Sequence, residues 1–364
     1  MPFTTDQHPE IEQQIASDLQ FIQNQLLDEF ANIDALILVG GFGRSEGGVL
    51  KQDGKYRPEN DYDLEMITTE PIPIEKLHQT ERKLANDLGV RWVHVENRLR
   101  QDLPTLPFTQ YVYDLKYGGQ ILCGPGDILD KIPEMANADM PLAEGEKLLH
   151  TRLWCFLGPY STEFEQRELS SEESFFLISQ MSKALLAICD AHLMLQGNYQ
   201  VKYANKGGLF IETVSADESL KNLVRWATHY KLDPEKADRP DPLPLYKSVR
   251  HHFLNTLFTF ARKAHRRRFA DWMDYGENFH GWVTDNPKFT ALKRSIKSLL
   301  GRATPDGKYE DMVRLKLYLA VASEIPEKAY YLQRCHTLVE KYKKKSVPKD
   351  WDTLCKHTLE LLGI

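Results

Sequence analysis

The sequence predicts an α+β protein: a small α/β unit with a mixed sheet over residues 1–135, followed by a helical domain over residues 136–364. Strand-length apolar runs, ALILV at 35–39, NDYDLEMIT at 60–68 and VRWVHVE at 90–96, concentrate in the first part of the chain. From residue 142 onward, long helical patterns divided by prolines and glycines take over. With 364 residues and 42% hydrophobic content, the chain has enough apolar side chains for two cores rather than one.

The elements follow in order. Residues 9–30 carry apolar side chains at helical spacing behind a proline suited to a first turn, which predicts a helix. ALILV is a short apolar strand. In NDYDLEMIT, alternation places Asp61, Asp63 and Glu65 on one face and Tyr62, Leu64 and Met66 on the other. PIEKLHQTERKLANDLG at 73–89 is a helix closed by Gly89, and VRWVHVE is the next strand, with Trp92, His94 and Glu96 sharing a face. YVYDLKYGGQILCGPGDI at 111–128 predicts a hairpin, or a strand followed by a turn. Helices are then expected over 142–158, 170–196, 244–269, 286–301, 309–325, 328–345 and 349–363, with 214–244 as a polar, proline-containing connection.

Five cysteines, Cys123, Cys155, Cys189, Cys335 and Cys355, are odd in number and contain no C-x-x-C pair. That usage points to a reducing compartment and away from a disulfide scaffold or a structural zinc site. The opening MPFTTDQHPEIEQQ has no basic segment leading into an apolar one, and no uninterrupted apolar run reaches the roughly 20 residues of a spanning helix. The chain therefore reads as soluble and cytoplasmic, with no membrane partner. A formal net charge of -6 gives no electrostatic warrant for duplex nucleic acid.

The segment with the most chemical content is VGGFGRSEGGVLKQDGKYRPENDYDLEM. Gly40, Gly41 and Gly43 follow directly on a strand, where glycine lets the backbone turn sharply and bring its N–H groups close to a ligand. If a helix starts there, those N–H groups favour an anion such as a phosphate, and Arg44 adds a charged fork. A Walker loop would need a lysine that GGFGRSEGG lacks, and a dinucleotide fingerprint would need a third glycine where Glu46 stands. Asp61 and Asp63 project from one face of a strand, with Cβ atoms roughly 6–7 Å apart. Two such acids repel one another, and a divalent cation relieves the repulsion. Their hard oxygen ligands suit Mg²⁺ or Mn²⁺, and Mg²⁺ is held by few carboxylates together with substrate phosphates. QDG at 52–54 is a tight-turn signal, so the residues between the glycines and the acids form a small hairpin over the site.

On those residues the chain resembles the nucleotidyltransferase fold of the polymerase β type, with its strand, Gly-Gly or Gly-Ser turn, and acid-x-acid pair on the next strand. With Arg-x-Glu after the glycines it is similar to the uridylyltransferase and adenylyltransferase enzymes of nitrogen regulation and to small antibiotic nucleotidyltransferases. The likeness covers residues 36–66 closely and 30–130 by element order. It implies that Gly40 and Gly41 hold the triphosphate, that Arg44 and Glu46 begin the helix beyond, and that Asp61 and Asp63 bind the metal. Gly41 stands where serine is common, and the gap to Asp61 is long. The family's usual third carboxylate would fall on 90–97, where parity admits either Glu96, a metal ligand, or His94, a proton acceptor near neutrality.

The helical half must then grip the acceptor. Lys183 and Asp190 lie two turns apart on one face of the 170–196 helix, and Lys183 is a candidate contact to the nucleotide. Tyr199, Lys202, Tyr203 and Lys206 mix aromatic and basic groups near a loop. Arg262, Lys263, Arg266, Arg267 and Arg268 form a basic stripe suited to RNA or to covering apolar surface with long stems. The expected function is transfer of a nucleoside monophosphate from a nucleoside triphosphate to a hydroxyl acceptor, with a small molecule or protein favoured over RNA. The alternatives are an inactive nucleotide-sensing or partner-binding regulator and an RNA-modifying transferase. The sequence does not name the nucleotide, the acceptor or the oligomeric state.

Overall fold

α1 (Pro9–Glu29) begins at the expected proline and buries Ile15, Leu19, Ile22 and Leu26 at three- and four-residue spacing. In this computed structural model, residues 2–52, 54–279, 282, 307–322 and 328–363 are described. The helix expected over 286–301 lies outside them.

An α+β N-terminal region follows in the order β1 (Ile33–Leu38), α2 (Gly40–Gly43), β2 (Val49–Gln52), β3 (Lys55–Pro58), β4 (Asp61–Thr68), α3 (Ile74–Leu88), β5 (Trp92–Leu99), α4 (Gln110–Gly118) and β6 (Gln120–Cys123). The main sheet has four strands in the order β5-β4-β1-β6, and β2 pairs with β3 in a separate hairpin. β1 runs antiparallel to β4 and β6, whereas β4 and β5 are parallel, so the sheet is mixed. Parallel neighbours need a crossover, and α3 supplies it.

Alternation along β4 decides what each face of the sheet does. Tyr62, Leu64 and Met66 join Leu36, Leu38, Val93 and Val95 in a core with Ile15, Leu19, Ile22 and Leu26 of α1 and Leu77 and Leu84 of α3. The opposite face packs Ala35, Ile37, Val39 and Ile67 against Val112 and Leu115 of α4. Asp61, Asp63 and Glu65 share that second face.

Two stretches fold differently from expectation. Residues 111–128 are not a hairpin but α4 followed by β6. The alternation in YVYDLKY resembles a strand, yet the Thr109 hydroxyl caps the segment by accepting the Val112 N–H at 3.1 Å, and Val112 and Leu115 meet the sheet at helical spacing. The polar connection over 214–244 contains a helix, Glu218–Leu232, started by Asp217, whose carboxylate accepts the Leu220 N–H at 2.8 Å. A helix at Tyr203–Thr213, in the stretch read as near a loop, was also not expected.

The remaining elements are helical. They are α5 (Leu142–Arg152), α6 (Ser171–Leu195), α7 (Tyr203–Thr213), α8 (Glu218–Leu232), α9 (Pro242–Ala264), α10 (Trp272–Glu277), α11 (Lys308–Ala322), α12 (Lys328–Lys343) and α13 (Trp351–Leu362). α6 begins with a capping box between Ser170 and Glu173 and packs against α5 and α9. By length and composition α6 is able to cross a membrane, but 78% of its most apolar window is buried in the fold. All five cysteines are free thiols.

The chain divides into two compact units. The first runs to Met140 and adds Gly197–Val214 and Thr228–Asp238; the second comprises Pro141–Gln196, Ser215–Ala227 and the chain from Arg239. α7 and the last turn of α8 therefore belong with the sheet, inside the span expected to be wholly the helical domain.

Tyr62, fully buried, donates to Asp18 of α1 at 2.8 Å, so sheet and helix share a polar contact inside their apolar seam. Replacing Tyr62 with Phe strands the buried Asp18 oxygen, and the expected cost is about 1–3 kcal/mol. The check is a lower urea midpoint at an unchanged denaturant slope.

Candidate active site

The site begins where β1 ends. Gly40 has φ +64°, and a Cβ on it would lie 2.2 Å from Asp63 Oδ2. Only glycine accommodates both the left-handed backbone and this close approach. The Val39 N–H donates to the Asp63 carbonyl at 2.9 Å, which fixes the turn against β4. The helix expected beyond the glycines is a single turn, Gly40–Gly43, so the N–H groups of Gly41 and Phe42, left over at its start, matter more than any helix dipole.

Arg44 is buried and stacks on the Tyr203 ring, 4.9 Å from its centroid. Its Nη1 stands 3.7 Å from Asp114 Oδ2, and its Nε has no hydrogen-bond partner. Glu46 is also buried, and its two oxygens accept the N–H groups of Tyr203 at 2.7 Å and Ala204 at 3.0 Å. Glu46 thereby caps α7 and seats Tyr203 beneath Arg44. Both Glu46 oxygens are committed to this anchoring.

A cleft of about 190 Å³ is lined by Val39, Gly40, Arg44, Asp63, Leu64, His94, Tyr111, Asp114 and Leu115. Asp61 lies one step along the same face of β4 and accepts a hydrogen bond from the Asn60 amide. Burial, reinforced by the neighbouring Asp61 charge, pushes the Asp63 carboxyl up to about 6, while His94, Lys231 and Arg44 pull the other way. Lys231 has no ion-pair partner among the described residues.

The strand register places His94 opposite Asp63 and Glu96 opposite Glu65. Half exposed, the His94 imidazole has Nδ1 3.4 Å from Glu81 and Nε2 3.3 Å from Glu96. The Glu96 carboxylate therefore faces His94 and lies outside the cleft lining. Glu65, on the aspartates' own face, is fully buried, pairs with Arg98 at 2.5 Å and accepts the Tyr111 hydroxyl. Burial holds its carboxyl above the usual range against the pull of Arg98. Lys183 belongs to the second compact unit, on α6, where its charge acts on Cys155.

Gly40, Gly41, Arg44, Asp61, Asp63 and His94 thus come together. Tyr111, Asp114, Lys231 and Tyr203 join them without having been expected at the site. Tyr111 and Asp114 sit on a helix that reads as a strand, and Lys231 in a stretch that reads as a connection. Among the described residues no group of three or more His, Cys, Asp or Glu side chains forms a ready-made metal cage. The acids nearest the turn are the pair Asp61 and Asp63, whose mutual repulsion His94, Lys231 and Arg44 offset only in part. No protein-family model matches the chain, and no curated protein matches it.

With a folded value near 6 against 3.8 when unperturbed, Asp63 holds its proton more tightly in the native state. Its contribution to stability is full below the unfolded value and is lost as pH rises through 6. In metal-free buffer, Asp63→Asn is expected to raise stability at pH 8 by roughly 1–2 kcal/mol, discounted from the full shift because the carboxylate keeps some contact with water. The gain should vanish below about pH 4, as read from denaturation midpoints across pH.

Proposed function

We propose that the chain is a metal-dependent nucleotidyltransferase that moves a nucleoside monophosphate from a nucleoside triphosphate to a hydroxyl acceptor and releases pyrophosphate. One observation carries the reading: a like-charged acid pair packed against a glycine turn, with a buried arginine whose Nε has no hydrogen-bond partner and a lysine without an ion-pair partner among the described residues. Carboxylates that repel call for a cation, and the open N–H donors of the turn and of Arg44 suit an anion. A nucleoside triphosphate with its divalent ion supplies both.

Asp61 and Asp63 would hold Mg²⁺ or Mn²⁺, which when bound stabilises charge on the transferring phosphoryl group. The N–H groups of Gly41 and Phe42, with Arg44 and Lys231, draw the terminal phosphates toward the β1 side of the acids. Glu46 keeps Arg44 in place through α7 and Tyr203. His94 would accept the acceptor's hydroxyl proton through Nε2, giving up its contact with Glu96 for the hydroxyl while Nδ1 donates to Glu81, so Glu96 acts on the imidazole rather than as a metal ligand.

A second reading, a nucleotide-binding regulator without turnover, draws support from the engagement of both further acids, Glu65 by Arg98 and Tyr111, and Glu96 by His94. An RNA acceptor draws less. Of the basic stripe, Arg262 covers Phe258, while Arg267 covers Phe269 and reaches Asp274.

The test is incubation with each labelled triphosphate, Mg²⁺ or Mn²⁺ and cell extract, reading pyrophosphate and labelled product. Asp61→Asn and Asp63→Asn should each lower the rate roughly 100- to 1,000-fold. Unchanged rates in both would sink the transferase reading, and nucleotide binding without pyrophosphate would favour the regulator. His94→Asn is expected to lower kcat about 100-fold or more with KM for the triphosphate little changed.

A further inference from the structure

We infer that Trp92 is the platform on which the nucleobase stacks, an inference that rests on the nucleotidyltransferase reading and extends it to the far end of the substrate. Trp92 is 57% exposed, whereas Tyr62, on the neighbouring strand but facing the core, is fully buried. Its indole has neither a ring partner nor a hydrogen-bond partner among the described residues. An unpartnered indole of this size on a strand is a surface waiting for a planar ligand or for another apolar face.

Position selects the planar ligand. Trp92 is the register partner of Asp61 on parallel strands, so their backbones are about 4.8 Å apart, and it shares a face with Asp61, Asp63 and His94. Two of the groups that attract phosphate, the Gly41 N–H and Arg44, lie at the turn after β1. In the sheet order β5-β4-β1-β6, β4 with its acids lies between that turn and Trp92. A nucleotide whose terminal phosphates lie toward β1 and whose α-phosphate lies over the acids therefore extends its base across β5. Tyr111, an exposed aromatic that lines the cleft, is a poorer platform: its hydroxyl is tied to Glu65, and the Arg98 guanidinium lies 5.3 Å from its ring centroid.

Stacking reads a π face rather than an edge, so the platform serves every base and confers affinity more than choice. The register partner of Trp92 is the acid Asp61, whose charge disfavours a second phosphate at this end and leaves the neutral base as the compatible group.

The experiment is calorimetric titration, in Ca²⁺ to limit turnover, of each nucleoside triphosphate and of inorganic tripolyphosphate into the wild-type chain, Trp92→Ala and Trp92→Phe. The expected result is a loss of about 10-fold in triphosphate affinity for Trp92→Ala, within the roughly 5- to 100-fold that base stacking provides. Tripolyphosphate binding should be unchanged, and Trp92→Phe should stay within about 3-fold of wild type because the π face persists. If the wild type binds nucleotides and Trp92→Ala binds them equally well, the platform is overturned while the nucleotide reading stands. Wild type that binds no nucleotide overturns both. Equal weakening toward tripolyphosphate and nucleotides, or a change in sedimentation at unchanged affinity, also overturns the platform and makes the indole structural or an interface between copies.

Discussion

The candidate site depends on one close approach, the Gly40 backbone lying against the Asp63 carboxylate. With a Cβ at residue 40 the turn would strike Asp63 Oδ2 at 2.2 Å, and any other residue would also resist φ +64°. This contact places N–H donors and an acid pair side by side, two features of opposite electrostatic demand. A turn rich in N–H donors and a strand that carries paired acids become neighbours only because glycine occupies no volume there. Asp63 in turn carries the consequence: its proton is held up to about 6 by burial and by Asp61.

The cations of the site come from distant parts of the chain, and packing rather than sequence proximity assembles them. Glu46 accepts backbone N–H groups from Tyr203 and Ala204, 157 and 158 residues further on. A buried carboxylate is costly unless its oxygens are satisfied, and the first turn of a helix offers the N–H groups that satisfy them. The result anchors α7 to the glycine turn and slides the Tyr203 ring under Arg44. Tyr199 deepens the same arrangement, donating to Asp114 at 3.0 Å while accepting from Lys206 at 3.1 Å.

The second unit settles its own geometry through a different polar device. Glu146 of α5, fully buried, accepts the Tyr275 hydroxyl at 2.9 Å and lies 2.7 Å from His265 Nε2, and Tyr275 also meets His150 Nε2 at 2.7 Å. Burial pushes His150 down to about 3, so the imidazole is neutral at physiological pH and hydrogen-bonds without a buried charge. Such a network ties α5 to α10 and the end of α9 at one register, where apolar packing alone tolerates small shifts.

The sequence alone determined the order of the first elements, the face of β4 that carries Asp61 and Asp63, the hairpin between glycines and acids, and most of the later helices. Each of these follows from local rules: period-two alternation, helical spacing, caps and turn residues act within a few positions. Tertiary structure decided the rest. YVYDLKY alternates like a strand and folds as α4 because its Val112 and Leu115 find the sheet at helical spacing, which brings Tyr111 and Asp114 to the cleft. The polar stretch with Lys231 becomes a helix end beside Asp63, and Glu96 turns to His94 because parallel pairing with β4 sets Glu96 opposite Glu65 instead of Asp63. Residue spacing tells which face a side chain takes; which distant segment covers that face is set by burial and by the pairing of polar groups, and those are properties of the folded whole.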